Sequence, residues 1–110
     1  MSDDDNAFVH ERVEDVDVLR VFGDVDVSST GRFETAMRAA ARIGARLVVD
    51  LRTCTFIDSS ILTALIRAEK TFKGRFGIIL PEDGPVRRIF AITSLLTYLP
   101  VVADLSVTAS

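Results

Sequence analysis

One stretch constrains this chain more than any other: Leu47 to Leu65, LVVDLRTCTFIDSSILTAL. Leu47 to Leu51 is short, apolar and β-branched at Val48 and Val49, the pattern of a central strand buried on both faces. Phe56 and Ile57 give a second short extended run. Three small polar residues follow, Asp58, Ser59 and Ser60, and then an apolar repeat at Ile61, Leu62, Leu65, Ile66 and Phe72. That spacing lines one face of a helix over about Ser59 to Phe72, closed by Lys73 and Gly74. A strand that feeds a helix this directly commits the chain to a sheet with helices laid against it. The hydroxyls at the junction have two possible roles. They can cap the helix, stabilising it by about 1 kcal/mol, or they can be where another protein places a charge.

The flanking sequence supplies the rest of the sheet. Ala7 to Arg12 reads as an edge strand, and Asp15 to Phe22 as a strand with one face more buried than the other. Their proximity predicts a hairpin turning near Glu14 and Asp15. Gly23 breaks the run, and Asp24 to Val27 reads as a connecting loop. Ser28, Ser29 and Thr30 offer caps for a helix to about Ile43, with Phe33, Ala36, Met37 and Ala40 inward and Gly44 ending it. Phe76 to Leu80 is another buried strand, stopped by Pro81. Asp83-Gly84-Pro85 opens a third helix, with Val86, Ile89 and Phe90 inward. Tyr98 to Val102 is a last strand that Pro100 confines to an edge. Strand–helix–strand units after a hairpin imply right-handed parallel crossovers. The fold class is therefore α/β: a small mixed sheet of about four to five strands, with helices mainly on one face.

A chain of 110 residues with 48% hydrophobic and 26% charged residues is expected to form one domain, here residues 7–110. An acidic tail, Met1 to Asn6, precedes it and is expected to be mobile. A net charge of −3 gives no basic footprint for nucleic acid. No apolar run approaches the roughly 20 residues that span a bilayer, and the acidic N-terminus is unlike a signal peptide. A cytoplasmic location follows by default. The single cysteine, Cys54, reads as a small buried hydrophobe.

Catalytic groupings are scarce. One histidine, His10, excludes a His-based triad or a His-rich metal site. Asp24 and Asp26 with Asp50 or Asp58 suggest a cation-binding phospho-receiver, but that chemistry needs a lysine on a late strand, and none follows Arg75 or Tyr98 there. No enzyme, cofactor or metal is expected. The helix start at Asp58 should emerge at the rim of the sheet. A phosphoryl group there would meet free backbone N–H groups and the positive end of the helix dipole. Under a docked partner it would add about −1.5 to −2 charge beside Asp58 and the pair Asp24 and Asp26, which opposes binding.

Three segments resemble the STAS domain of bacterial anti-sigma factor antagonists. They are Phe22-Gly23-Asp24-Val25-Asp26; Leu47 to Leu51 with Phe56-Ile57-Asp58-Ser59-Ser60; and Val86 to Phe90 with Leu99-Pro100-Val101. The resemblance spans about Asp15 to Val102 and implies a STAS-like fold and a non-enzymatic partner switch. In such a switch the unmodified protein binds an anti-sigma factor, often itself a serine kinase, and frees the sigma factor. The kinase modifies the serine after the aspartate, which maps to Ser59, with Ser60 the second candidate. A PP2C-like serine phosphatase restores the binding form. Asp24, Asp26, Asp58, Ser59, Ser60 and Ile61 map to the docking face. Ile61 and Ser94 stand where the family commonly has glycine, and the usual final helix is absent or truncated. Two alternatives stay open: an unphosphorylated scaffold in a transporter or stress complex, and a nucleotide-binding STAS module.

Overall fold

The computed structural model describes residues 7–42 and 45–103. Its elements are β1 (Phe8–Val13), β2 (Val16–Val21), β3 (Gly23–Val25), a 3-10 turn (Val27–Ser29), α1 (Thr30–Ala40), β4 (Arg46–Asp50), β5 (Cys54–Ile57), α2 (Ser59–Thr71), β6 (Phe76–Ile79), α3 (Pro85–Ile92), α4 (Leu95–Tyr98) and β7 (Val101–Val102). Five strands form one sheet in the order β1-β2-β4-β6-β7. β1 and β2 make the expected antiparallel hairpin, turning where Glu14 takes a left-handed φ of 55°. The pairs β2–β4, β4–β6 and β6–β7 are parallel. β4 is central, and β7, just after Pro100, lies at the edge.

The apolar stripes of the helices all meet one face of this sheet. Phe33 and Met37 of α1, Ile61 and Leu65 of α2, and Val86 and Phe90 of α3 share a core with Leu19, Val49 and Ile78. The other face carries a smaller cluster, Val16, Val18, Val48 and Ile79, with Val13 and Val102 against it. β2 is thus buried on both faces, more evenly than the strand with one more buried face that its sequence suggests. Cys54 lies in the main core, and burial pushes its thiol up to about 11, so it stays protonated.

Four boundaries differ from expectation. Gly23–Val25 is a strand rather than loop, because Gly23 takes φ 76° and turns the chain out of the sheet into a new pairing with β5. α1 is capped from further back: the Asp26 carboxylate caps the 3-10 turn that leads into it, while Ser29 makes no side-chain cap bond. That helix ends at Ala40, with Ala41 extended, and the expected terminator Gly44 lies outside the described residues. Tyr98 belongs to the short helix α4 rather than to the last strand. Ser94 begins that helix at φ 64°, a backbone setting that suits glycine.

The first six residues and the last seven lie outside the described part, so the expectations of an acidic tail and a truncated final helix are not addressed by it. Among the described residues no helix is long and apolar enough to cross a membrane.

Candidate functional site

β3 and β5 form a two-stranded parallel ribbon separate from the main sheet, with Asp24 opposite Phe56 and Val25 opposite Ile57. Both strands then run into a capped turn of the same kind. Asp26 (φ −128°, ψ −168°) accepts from the Ser28 amide at 3.0 Å and the Ser28 hydroxyl at 2.6 Å. Asp58 (φ −113°, ψ −175°) accepts from the Ser60 amide at 3.0 Å and the Ser60 hydroxyl at 2.5 Å. Because the strands pair in register, the two turns stand side by side. Sequence reading found Asp58 as a cap but missed its counterpart. The repeated Asp-x-Ser at 26–28 and 58–60 was the available signal.

The turns are also tied together. The Thr30 and Ser60 hydroxyl oxygens are 2.7 Å apart. Ser60 gives its proton to the Asp58 carboxylate, so the Thr30 hydroxyl donates to Ser60. The Val27 amide donates to Asp58 from the neighbouring turn, and the Ile61 amide does so at 3.4 Å. The Ser60 hydroxyl above all, with these amides, holds the Asp58 carboxyl below its ordinary range, against a smaller upward push from burial. Asp24 accepts a hydrogen bond from the Thr55 hydroxyl and is exposed, as is Asp26.

The two serines therefore differ in kind. Ser60 is half-buried and its oxygen both gives and receives a hydrogen bond. Ser59, one residue earlier, is exposed and its side chain makes no hydrogen bond among the described residues. Ile61 is 1% exposed and faces the core, so it does not belong to the docking surface as expected; the helix periodicity that buries Leu65 buries it too. The surface gains instead Val27, which is 70% exposed, and the partly exposed Phe56 and Phe22. One further expectation changes. The helix tip is not open to a phosphoryl group, because Asp58 already occupies the Ser60 and Ile61 amides, and the Leu62 amide is taken by the Asp58 carbonyl at 3.3 Å. A phosphate on Ser59 would meet a helix tip whose Ser60, Ile61 and Leu62 amides are already engaged.

Asp50 is not part of this group. It is 2% exposed and held by Arg20 at 2.9 Å and Arg52 at 2.8 Å, so it does not join Asp24 and Asp26 as a cation site. Among the described residues no group of acidic, histidine or cysteine side chains is placed to hold a metal ion.

Residues 9–100 match the STAS_2 family model, described as the Mlab, STAS domain, and the chain belongs to that family. No curated protein matches it. Among solved structures, an anti-sigma factor antagonist from Mycobacterium paratuberculosis is 24% identical, with a TM-score of 0.81 over 93% of this chain and 89% of that one. SpoIIAA, described as an anti-sigma factor antagonist in its unphosphorylated form, is 22% identical, with a TM-score of 0.65 over 92% of each chain. SpoIIAA of Bacillus in its phosphorylated form is 20% identical, with a TM-score of 0.61 over 92% of this chain and 96% of that one. At these identities the likeness establishes the fold.

Proposed function

We propose that this protein is a non-enzymatic anti-sigma factor antagonist of the cytoplasm, switched by phosphorylation of Ser59. The observation that carries this reading is the contrast between the two hydroxyls: Ser59 exposed and unbonded, Ser60 committed to Asp58 and Thr30. A kinase needs a hydroxyl it can reach without dismantling the fold, and Ser59 is one. That relatives of the same fold include an antagonist described in both unphosphorylated and phosphorylated forms supports it.

The mechanism is electrostatic and steric. Asp24, Asp26 and Asp58 surround apolar Val27 and Phe56, so a partner would bring apolar side chains rimmed by cations. Those cations are already matched by the carboxylates. A phosphate on Ser59 adds about −1.5 to −2 charge, and the Asp58 carboxylate and carbonyl already hold the Ser60, Ile61 and Leu62 amides of the helix tip. Covering it would leave a charge buried without a partner, which costs several kcal/mol, at tenfold in affinity per ~1.4 kcal/mol. A serine kinase, which the anti-sigma factor itself would supply, writes the charge, and a PP2C-like phosphatase removes it.

Two alternatives stand beside this reading. Ile61, whose place at a family glycine motivates an unphosphorylated scaffold, lies in the core rather than on the surface. A nucleotide phosphate at the start of α2 would compete with the Asp58 carboxylate for the same amides. Ser59→Asp, compared with Ser59→Ala in binding to the anti-sigma factor by calorimetry, tests the proposal. The expected result is at least tenfold weaker binding for Ser59→Asp, near-native binding for Ser59→Ala, and native circular dichroism for both. Equal affinities would refute the charge mechanism.

A further inference from the structure

α1 and α2 enclose a groove of about 190 Å3 on the outer side of the helical layer. Its floor is apolar, built from Met37, Ala64, Ala68 and Phe72. The two alanines sit one turn apart on α2 and leave the groove shallow there. Its rim carries two guanidiniums, Arg38 and Arg67, and one carboxylate, Glu34. Arg38 has one described partner, the neutral Thr35 hydroxyl at 3.4 Å, and Arg67 is held by Glu34 through a single long contact of 3.3 Å. Neither guanidinium is engaged in the bidentate geometry that would commit it. The groove thus combines an apolar slot with cations free to re-pair.

The same molecule carries the complement. Val27 stands 70% exposed at the tip of the 3-10 turn, flanked by exposed Asp26 and Asp24 and, beside them, Asp58. This is one small apolar knob set among carboxylates, at the opposite ends of α1 and α2 from the groove's Phe72. The knob is rimmed by carboxylates, whereas the groove's rim has two guanidiniums against the single carboxylate of Glu34.

We propose that the groove receives a second copy of this chain, with Val27 of one molecule seated between α1 and α2 of the next and Asp26 facing Arg38 and Arg67. The contact is heterologous, so it either closes as an antiparallel dimer with two such contacts or extends as a short chain. It is small and rimmed by exposed charges, which makes it weak and salt-sensitive. It also covers the face to which the anti-sigma factor would dock, so self-association and partner binding exclude each other. This assignment does not depend on whether Ser59 is phosphorylated.

The test is sedimentation equilibrium of the full chain over a concentration series. The weight-average mass is expected to rise from the monomer's 12.1 kDa to twice that or more. Raising salt from 0.05 to 0.5 M is expected to weaken association about tenfold. Val27→Asp and the double variant Arg38→Glu/Arg67→Glu, all surface changes, are each expected to stay monomeric with native circular dichroism. Mixed one to one they are expected to form a heterodimer, because Val27→Asp keeps the groove and Arg38→Glu/Arg67→Glu keeps the knob. A wild-type mass fixed at 12.1 kDa throughout, association that survives in both variants, or a mixture that stays monomeric would overturn the proposal. So would a chain that associates only after residues 1–6 are deleted, which would give the groove to the acidic N-terminal segment.

Discussion

Asp17 and Asp58 lie at opposite ends of the molecule, and both carboxyls are held below their ordinary range. The means differ. Asp17 is fully buried at the start of β2, where burial pushes its carboxyl up and hydrogen bonds from Arg42, His10 and Arg12 more than offset the push. Arg42 donates to one oxygen at 2.6 Å, and Arg12 and His10 approach the other at 3.2 and 3.0 Å. Asp58 stands at the rim among a hydroxyl and three amides, with no cation among its described hydrogen-bond partners. A lowered carboxylate is therefore not by itself a mark of function. Cations satisfy Asp17 completely and tie the hairpin to the end of α1. Neutral donors satisfy Asp58 and leave its charge facing outward, where a partner would meet it.

Breaking the buried end should have the largest effect. Asp17→Asn is expected to lower unfolding stability by about 2–3 kcal/mol in urea denaturation, since the hydrogen bonds from Arg42 and Arg12 lose their charged acceptor and an amide NH2 replaces one carboxylate oxygen among donors. A change under about 0.5 kcal/mol would mean that these half-exposed cations hold it no better than a surface pair. The same variant sharpens the pH dependence. A depressed carboxyl contributes stability that is complete above its unfolded value near 3.8 and is lost as pH falls through the lower folded value. Wild-type protein is expected to lose stability below about pH 4 more steeply than Asp17→Asn, measured by thermal melts across that range.

At the rim the effects should be smaller. Asp58→Ala removes the cap of α2 and is expected to cost about 1 kcal/mol, read as a lower melting temperature. Ser60→Ala deletes the link between Thr30 and Asp58 and is expected to cost about as much, ~1 kcal/mol. Ser59→Ala touches no hydrogen bond among the described residues and should change stability by less than about 0.5 kcal/mol. A Ser59→Ala loss equal to that of Ser60→Ala would erase the distinction between the two serines.

The sheet and its helices were legible because their signals are long. The apolar spacing from Phe33 to Ala40 and from Ile61 to Leu65, and the buried runs at 47–51 and 76–80, fix both type and facing. The ribbon was not legible, because Gly23–Val25 is three residues long and its partner lies some thirty residues on. The burial of Asp17 was not legible, because the side chains that hold it, His10, Arg12 and Arg42, come from the neighbouring strand and from beyond α1. Asp24, Asp26, Asp58, Ser59 and Ser60 stood out in the sequence, since strand-to-helix junctions declare themselves by polar residues in an apolar setting. Their hydrogen bonds did not, and these separate Ser59 from Ser60, take Ile61 off the surface and close the helix tip to phosphate.

The most direct measurement is site mapping. The protein is incubated with its cognate serine kinase and ATP, and the modified position is read by tandem mass spectrometry in wild type and in Ser59→Ala. Phosphate on Ser59 in the wild type, and none on Ser60 when Ser59 is replaced, is the expected result. Phosphate on Ser60, or on neither serine, would contradict the account.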